Sequence, residues 1–486
     1  MKKKYFFFWI LLLYSCEIDD ELESIETPPE TVIEDIDFAV DIGDSELPYI
    51  IVETTEEIQN EPKIMADLKV YVNNKRVHQT PIGIEYRGST SFRVSDKKSY
   101  GIETWNENGN DIDYQFFEFP IEEDYILMGH VYKAAWNSIY DPSLLHHYLG
   151  YEMYRMMGNY ASRSRFVDLE INGDYKGAYV FLEKLKRGKN RIDVKTLNPS
   201  DNTGNNITGG YILKIDKTAG GESNTGQPLD YYETNWADDA RYSPANSFRS
   251  NYDIFKGSIQ FPAYGEPYHS EQYLETYFLY EHPDKNSITP AQKSYIQNYI
   301  HDFETALIND DFNSESRTYT DYIDLNSFVD FFLLNELVGN IDAYRLSTYL
   351  HKDRGEKLKM GPVWDLNIGY GRQNRVPVND WIANYNNYIQ QDAWMVPFWW
   401  TRLLEDDVFK SAVKLRWQQL REQIFSNGEI IGLVDDTKAK LISNDAISRN
   451  YQRWTGINFQ YDQVIEELVF YLENRLQWMD ETINTF

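Results

Sequence analysis

Cysteine is almost absent. Cys16 is the only one in 486 residues, so the chain can form no internal disulfide, and beyond that position it offers no thiolate chemistry. Positive charge is scarce as well: 47 Lys and Arg stand against 77 Asp and Glu, for a net charge of −30. A nucleic-acid binder needs a basic face, and so does electrostatic attachment to anionic lipid, so both classes are disfavoured. The most apolar run, at the N-terminus, is too short to span a bilayer. H-E-x-x-H, paired Cys/His zinc spacing, G-x-S-x-G, G-x-G-x-x-G and the Walker A loop are all missing. Aromatics, by contrast, are abundant, with 38 Tyr and 12 Trp. The length allows one large domain or two to three ordinary ones, with a sizeable core.

The N-terminus reads "MKKKYFFFWILLLYSCEIDD". Three lysines followed by an apolar run from Tyr5 to Tyr14 fit the n- and h-regions of a signal peptide. The stretch "LYSC" (13–16) resembles a bacterial lipobox, which implies lipidation of Cys16; the alternative is an ordinary secretory signal with a chance cysteine. The acids after it, Glu17, Asp19, Asp20 and Glu21, resemble the surface-export signal of Bacteroidota lipoproteins. The sequence thus predicts a signal peptide over 1–16 and an acidic, disordered tether over 17–45. It also predicts an outer-membrane lipoprotein at the cell surface or facing the periplasm.

Beyond the tether, short alternating runs such as "PYIIVET", "ADLKVYV", "IGIEYRGSTSF" and "KKSYGIETW" predict strands. A helix is predicted over 142–157, entered by Asp141 and ended by Gly158. "SRFVDLEI" and "GAYVFLEKL", joined by "NGDYK", predict a hairpin, and "GGYILKIDK" a further strand. Residues 218–268 are rich in Gly, Asn, Ser and Tyr and predict an irregular insertion; the remainder is mostly helical. The expected fold is α+β, with a β-rich part over 46–208 and a helix-rich part over 209–486.

Candidate chemistry begins with "GPVWDLNIGYG" (361–371), where Asp365 sits between Trp364 and Leu366. An unpaired carboxylate in an apolar run is costly. Upstream, "RLSTYLH" and "KLKMGPV" predict two strands joined by "KDRGE". With the turn centred between Asp353 and Arg354, Asp342 falls opposite Asp365, and Asn340 opposite Asn367. Two facing aspartates need a proton or a cation between them, and oxygen-only ligands suit Mg²⁺ or Mn²⁺. Two solvated Asx turns are the alternative. On the 142–157 helix, Glu152 lies by helical angle within the stripe of Leu145, Tyr148, Leu149 and Met156, and the preceding strand offers Lys97 and Lys98 as partners. A strand Lys, a helix Glu and two later acids follow the order of parts in protein kinases; a buried structural ion pair explains the first two equally well. Arg87, in the hydroxyl-rich "YRGSTS", is a candidate phosphate contact or an ordinary turn residue.

Together "YRGSTS", "KKSYGIE", "YDPSLLHHYLGYEMYRMMG", "FVDLEINGDYKGAYVFLEKLK", "GGYILKID", "NELVGNIDAY", "GPVWDLNIGYG" and "RNYQRW" resemble the CotH kinase family, the spore-coat-associated secreted kinases, over nearly the whole mature chain. The resemblance implies a two-lobed, atypical protein-kinase-like fold. It implies transfer of the ATP γ-phosphate to a protein acceptor with Mg²⁺ or Mn²⁺, by a chain expected to be monomeric. It assigns Asp342 to the catalytic acid position and Asp365 to the metal position, with Asn367 beside it. Lys98 or Lys97 would reach the phosphates, Glu152 would partner the lysine, and Arg87 would lie near the nucleotide. "SLLHH" departs from the Arg-Asn of many relatives, leaving His146 and His147 as surface or helix-end residues. "WDLN" replaces the "WDxD" of some members. Two other readings compete: a non-catalytic surface lipoprotein that binds glycan or a partner protein, and a carboxylate-based glycan hydrolase.

Overall fold

The computed structural model describes residues 32–33, 38–136, 138–218, 231, 234–235, 238, 241–455 and 460–486. The expected signal peptide, Cys16, most of the tether and part of the insertion lie outside the described residues. The last stretch of the expected tether does not hang free, because Phe38 packs on Tyr49 and Tyr71.

Seven strands of the β-rich half form its main closed sheet: β1 (Tyr49–Glu53), β2 (Ile64–Val72), β3 (Lys75–Arg87), β4 (Ser99–Thr104), β5 (Asp124–Met128), β6 (Ser164–Ile171) and β7 (Asp174–Glu183); the short strand Val32–Ile33, within the expected tether, adds to the edge at Lys75 and Arg76. Their order is β3-β2-β1-β6-β7-β5-β4, and β4 pairs back onto β3, with Tyr86 opposite Tyr100, so the sheet closes into a barrel. All these pairings are antiparallel except β1 with β6. The period of two explains the barrel. Ile64, Ala66, Leu68 and Val70 of β2 alternate into an interior shared with Ile50, Ile82, Ile102, Leu127, Leu169 and Phe181.

The second half is not purely helical. A five-stranded sheet contains β8 (Tyr211–Ile215), β9 (Ser247–Arg249), β10 (Tyr277–His282), β11 (Thr348–Lys352) and β12 (Leu358–Met360), in the order β9-β10-β8-β11-β12. The insertion therefore contributes a strand, and it packs: the Tyr242 ring stacks on Tyr277 with centroids 4.0 Å apart.

Helix α1 (His146–Met156) lies in the sequence between β5 and β6. It starts four residues later than the pattern predicted, because residues 142–145 form a turn in which Asp141 accepts the His146 backbone N–H and the Ser143 hydroxyl. The longer helices described after the barrel are α2 (Pro290–Ile308), α3 (Leu325–Val338), α4 (Asp407–Glu422), α5 (Asn427–Ser443), α6 (Ala446–Arg453) and α7 (Tyr461–Ile483). The expected caps of α3 are present: the Asp324 side chain accepts from Ser327, and Gly339 ends the helix at φ 62°.

The sequence placed the β11–β12 turn too early. Leu350 pairs with Met360 and Lys352 with Leu358, so the hairpin centres on Gly355, and the ladder has ended before Asp342 and Asp365 are reached. They meet because segments 341–347 and 361–368 leave the hairpin side by side, not because they oppose each other in register.

Candidate active site

A cleft of about 700 Å³ is lined on one side by the barrel rim, including Arg87 to Ser91, and on the other by Lys214, Asp216, Lys217, Asp342, Arg345, Asp365 and Asn367. Asp365 has a left-handed backbone, φ 57°, and its surroundings hold it there. Leu366 is fully buried against α1, where Gly150 leaves the room: a Cβ on Gly150 would lie 2.1 Å from Leu366 Cδ1. Trp364 rests on Tyr151, with centroids 5.8 Å apart. His147 Nδ1 accepts the Leu366 N–H at 3.4 Å, and His146 Nδ1 donates to the Asn367 carbonyl at 3.0 Å. The two histidines thus sit at the helix end, as expected, but they are buried and fix the aspartate loop from behind. Burial lowers the pKa of His147 to about 4, so at neutral pH it is free to accept that bond.

Asp365 opens only partly onto the cleft. Burial, reinforced by the charges of Asp342 and Asp216, raises its carboxyl to about 6, against the opposing pull of Arg87 and Lys217. Asp342 follows Asn340, whose side-chain oxygen accepts the Asp342 N–H at 3.2 Å. Asn340 is therefore a buried turn residue, not a counterpart of Asn367. Asp342 Oδ1 accepts from Arg345 Nη2 at 2.7 Å. Arg345 is itself buried; its Nε donates to the Ile341 carbonyl and its Nη1 to the Trp394 carbonyl, while its guanidinium lies over Tyr385. One carboxylate oxygen of Asp342 is thereby fixed. The signal for Arg345 was its spacing of three residues from Asp342.

Arg87 ends β3, faces the cleft and lies over Trp364, with its guanidinium carbon 5.7 Å from the ring centroid. Next to it, Gly88 (φ 90°) turns the chain into the single helical turn Thr90–Val94. From the other side of the cleft, Lys217 Nζ donates to Thr90 Oγ1.

Lys97, Lys98 and Glu152 do not converge here. Lys97 is buried at the junction of barrel and C-terminal region, donating to the Ala178 carbonyl and to Asn450 of α6. Lys98 donates to the Phe92 carbonyl and sits over the Phe92 ring. Glu152 pairs with Arg155 one turn along α1. The sequence placed Glu152 on the buried face because it assumed a single apolar stripe. In fact α1 is covered on several sides, and Glu152 falls at the margin. A lysine of the cleft wall that does pair with a glutamate is Lys214, on β8, 2.7 Å from Glu281. Its signal was a lysine inside the otherwise apolar run "YILKI", and that of Asp216 was a carboxylate at the end of the same strand.

The donors available to a cation are Asp342, Asp365, Asp216, the Asn367 amide and the Ser347 hydroxyl, an all-oxygen set suited to Mg²⁺ or Mn²⁺. Burial first, and then the charges of two further acids, raise the Asp365 carboxyl, and a bound cation would offset both. Among the described residues, the trio of carboxylates within 4.8 Å of one another is elsewhere, at Asp113, Glu122 and Glu123, where Lys186 pairs with both glutamates.

The family model described as CotH kinase protein matches residues 84–479. No curated protein matches the chain.

Proposed function

The chain belongs to the CotH kinase family, and from that membership we propose that it transfers the γ-phosphate of ATP to a hydroxyl of a protein acceptor, using Mg²⁺ or Mn²⁺. The barrel and the helix-rich half are read as the two lobes of a kinase-like molecule. The observation that carries the proposal is the convergence of carboxylates and fixed positive charges on one cleft. Asp342 and Asp365 stand on one wall, and Arg87, with the 88–91 turn, on the other.

In phosphoryl transfer the protein mainly positions groups and neutralises charge. Asp365 and Asn367 would hold the cation, which supplies neutralisation of the phosphate oxygens when bound. Arg87 and Lys217 provide fixed positive charge for the same oxygens. Asp342, with Oδ1 held by Arg345, presents Oδ2 to take the proton of the acceptor hydroxyl. The glycan-hydrolase alternative gains little from the cleft tryptophans. Trp364 is already covered by Tyr151 and Arg87, while Trp394 meets Tyr268 and Lys217.

The test is transfer from γ-labelled ATP to a hydroxyl-bearing protein with Mn²⁺. Asp342→Asn is expected to lower transfer by at least 100-fold, the lower range for general-base catalysis, while the melting-temperature rise with Mn²⁺ and ATP persists. Transfer at the parent rate would remove Asp342 from the mechanism. We further propose that the chain acts outside the cytoplasm, attached through lipidated Cys16, on the strength of "LYSC" alone. Cys16→Ala should then move the protein out of the membrane fraction or leave the signal peptide uncleaved; a variant cleaved and fractionating like the parent contradicts the anchor.

A further inference from the structure

Asp216 belongs to no part of the mechanism above, yet it stands in the same cleft. Its position follows from sheet register. Strand β8 pairs antiparallel with β11, with Ile215 opposite Thr348, so the next residue along β8, Asp216, falls opposite Ser347. Ser347 in turn lies beside the Asp365 loop. Ser347 Oγ is 3.3 Å from Asp216 Oδ2 and 3.4 Å from Asp365 Oδ2. A hydroxyl carries one proton, so it gives a full hydrogen bond to one of these carboxylates or shares the proton weakly between both. Either way one proton serves two carboxylates, and a further proton or a cation between them would relieve their repulsion.

A structural role for Asp216 accounts for less. Its Oδ1 accepts the backbone N–H of Lys217 at 2.9 Å, as at any turn, and the carboxylate also accepts the backbone N–H of Ser347. The neighbouring Lys214 ammonium is 3.8 Å from Asp216 Oδ2 but 2.7 Å from Glu281, so the short ion pair of that lysine goes elsewhere. Asp216 Oδ2 thus has Ser347 at 3.3 Å and Lys214 at 3.8 Å, and Ser347 connects it to Asp365. We propose that Asp216 is a second carboxylate ligand of the divalent cation, joined to Asp365 through Ser347. The inference rests on the cation role given above to Asp365 and extends the cation site onto the sheet of the second half. The cation would then tie β8 to the segment after β12, two parts of the chain more than a hundred residues apart.

The experiment is Mn²⁺ binding to the full chain without nucleotide, read from the free-Mn²⁺ signal in electron paramagnetic resonance, together with melting curves. Asp216→Asn should fold, melt no lower than the parent in the absence of Mn²⁺, bind Mn²⁺ at least tenfold more weakly, and show a smaller Mn²⁺-induced rise in melting temperature. Should that variant not fold, Ser347→Ala reads the same coupling and should also weaken Mn²⁺ binding. Parent-like Mn²⁺ affinity in the folded variant overturns the assignment, as does a parent chain that binds no Mn²⁺. Mn²⁺ binding that depends on Asp216, in a chain that transfers no phosphate, would refute the kinase function and leave the ligand assignment standing.

Discussion

A non-glycine residue in the left-handed region costs of order 1–3 kcal/mol and persists only where its neighbours over-determine it. At Asp365 those neighbours are His146, His147 and the Leu366–Gly150 contact. Asparagine adopts this conformation as readily as aspartate, so exchanging the two at this position changes charge and little else. A second buried acid has a different fate. Glu304 accepts from Ser250 and Trp399, no cation among the described residues pairs with it, and burial raises its carboxyl from 4.5 to about 7. The folded state then holds this proton more tightly than the unfolded one. Its contribution is complete below about pH 4.5 and falls away as pH rises to about 7. The swing is roughly 3 kcal/mol. Glu304→Gln should flatten this decline in urea-unfolding free energy measured from pH 4.5 to 7; a decline as steep as in the parent would mean that Glu304 does not cause it.

At the scale of elements, the packing of α1 against the Asp365 loop governs the geometry of the cleft. Gly150→Ala would drive a methyl into Leu366, and overpacking of this kind costs typically 1–3 kcal/mol. The variant should melt lower and also lose part of its Mn²⁺-induced stabilisation, because the displaced residue is next to Asp365. A variant that loses stability but keeps the full Mn²⁺ effect would show the loop to be independent of α1. The strands and helix caps here were legible because they are local. The alternation in β2 and the Asp324 and Gly339 caps of α3 are each fixed by a few neighbouring residues. Asp342 and Asp365 were legible as a pair, although the register used to pair them was displaced. Lys97, Lys98 and Glu152 were not, since a side chain's partner depends on what covers it from distant sequence. Asn450, which holds Lys97, is more than three hundred residues away. Barrel closure through β3 and β4, and the joining of β8 to β11, are likewise long-range facts that no local pattern announces.

For the whole molecule, the family match begins at residue 84, inside β3, whereas the barrel needs β1 and β2 to close. The folded unit is thus larger than the matched region. The C-terminal segment in turn grips the barrel: Arg449 pairs with Asp168 and Trp454 Nε1 donates to the Lys176 carbonyl, while Asn450 receives Lys97. The cleft lies between barrel residues and residues of the second half, so the proposed chemistry depends on both. The central claim is that Asp365 carries the cation on which phosphoryl transfer depends. The direct measurement is transfer of label from γ-labelled ATP with Mn²⁺, parent and Asp365→Asn side by side at equal folded concentration. The parent should transfer label, and the variant, folded and melting no lower without metal, should transfer none above background. An Asp365→Asn protein that transfers label at the parent rate, or a parent that transfers none, would contradict the account.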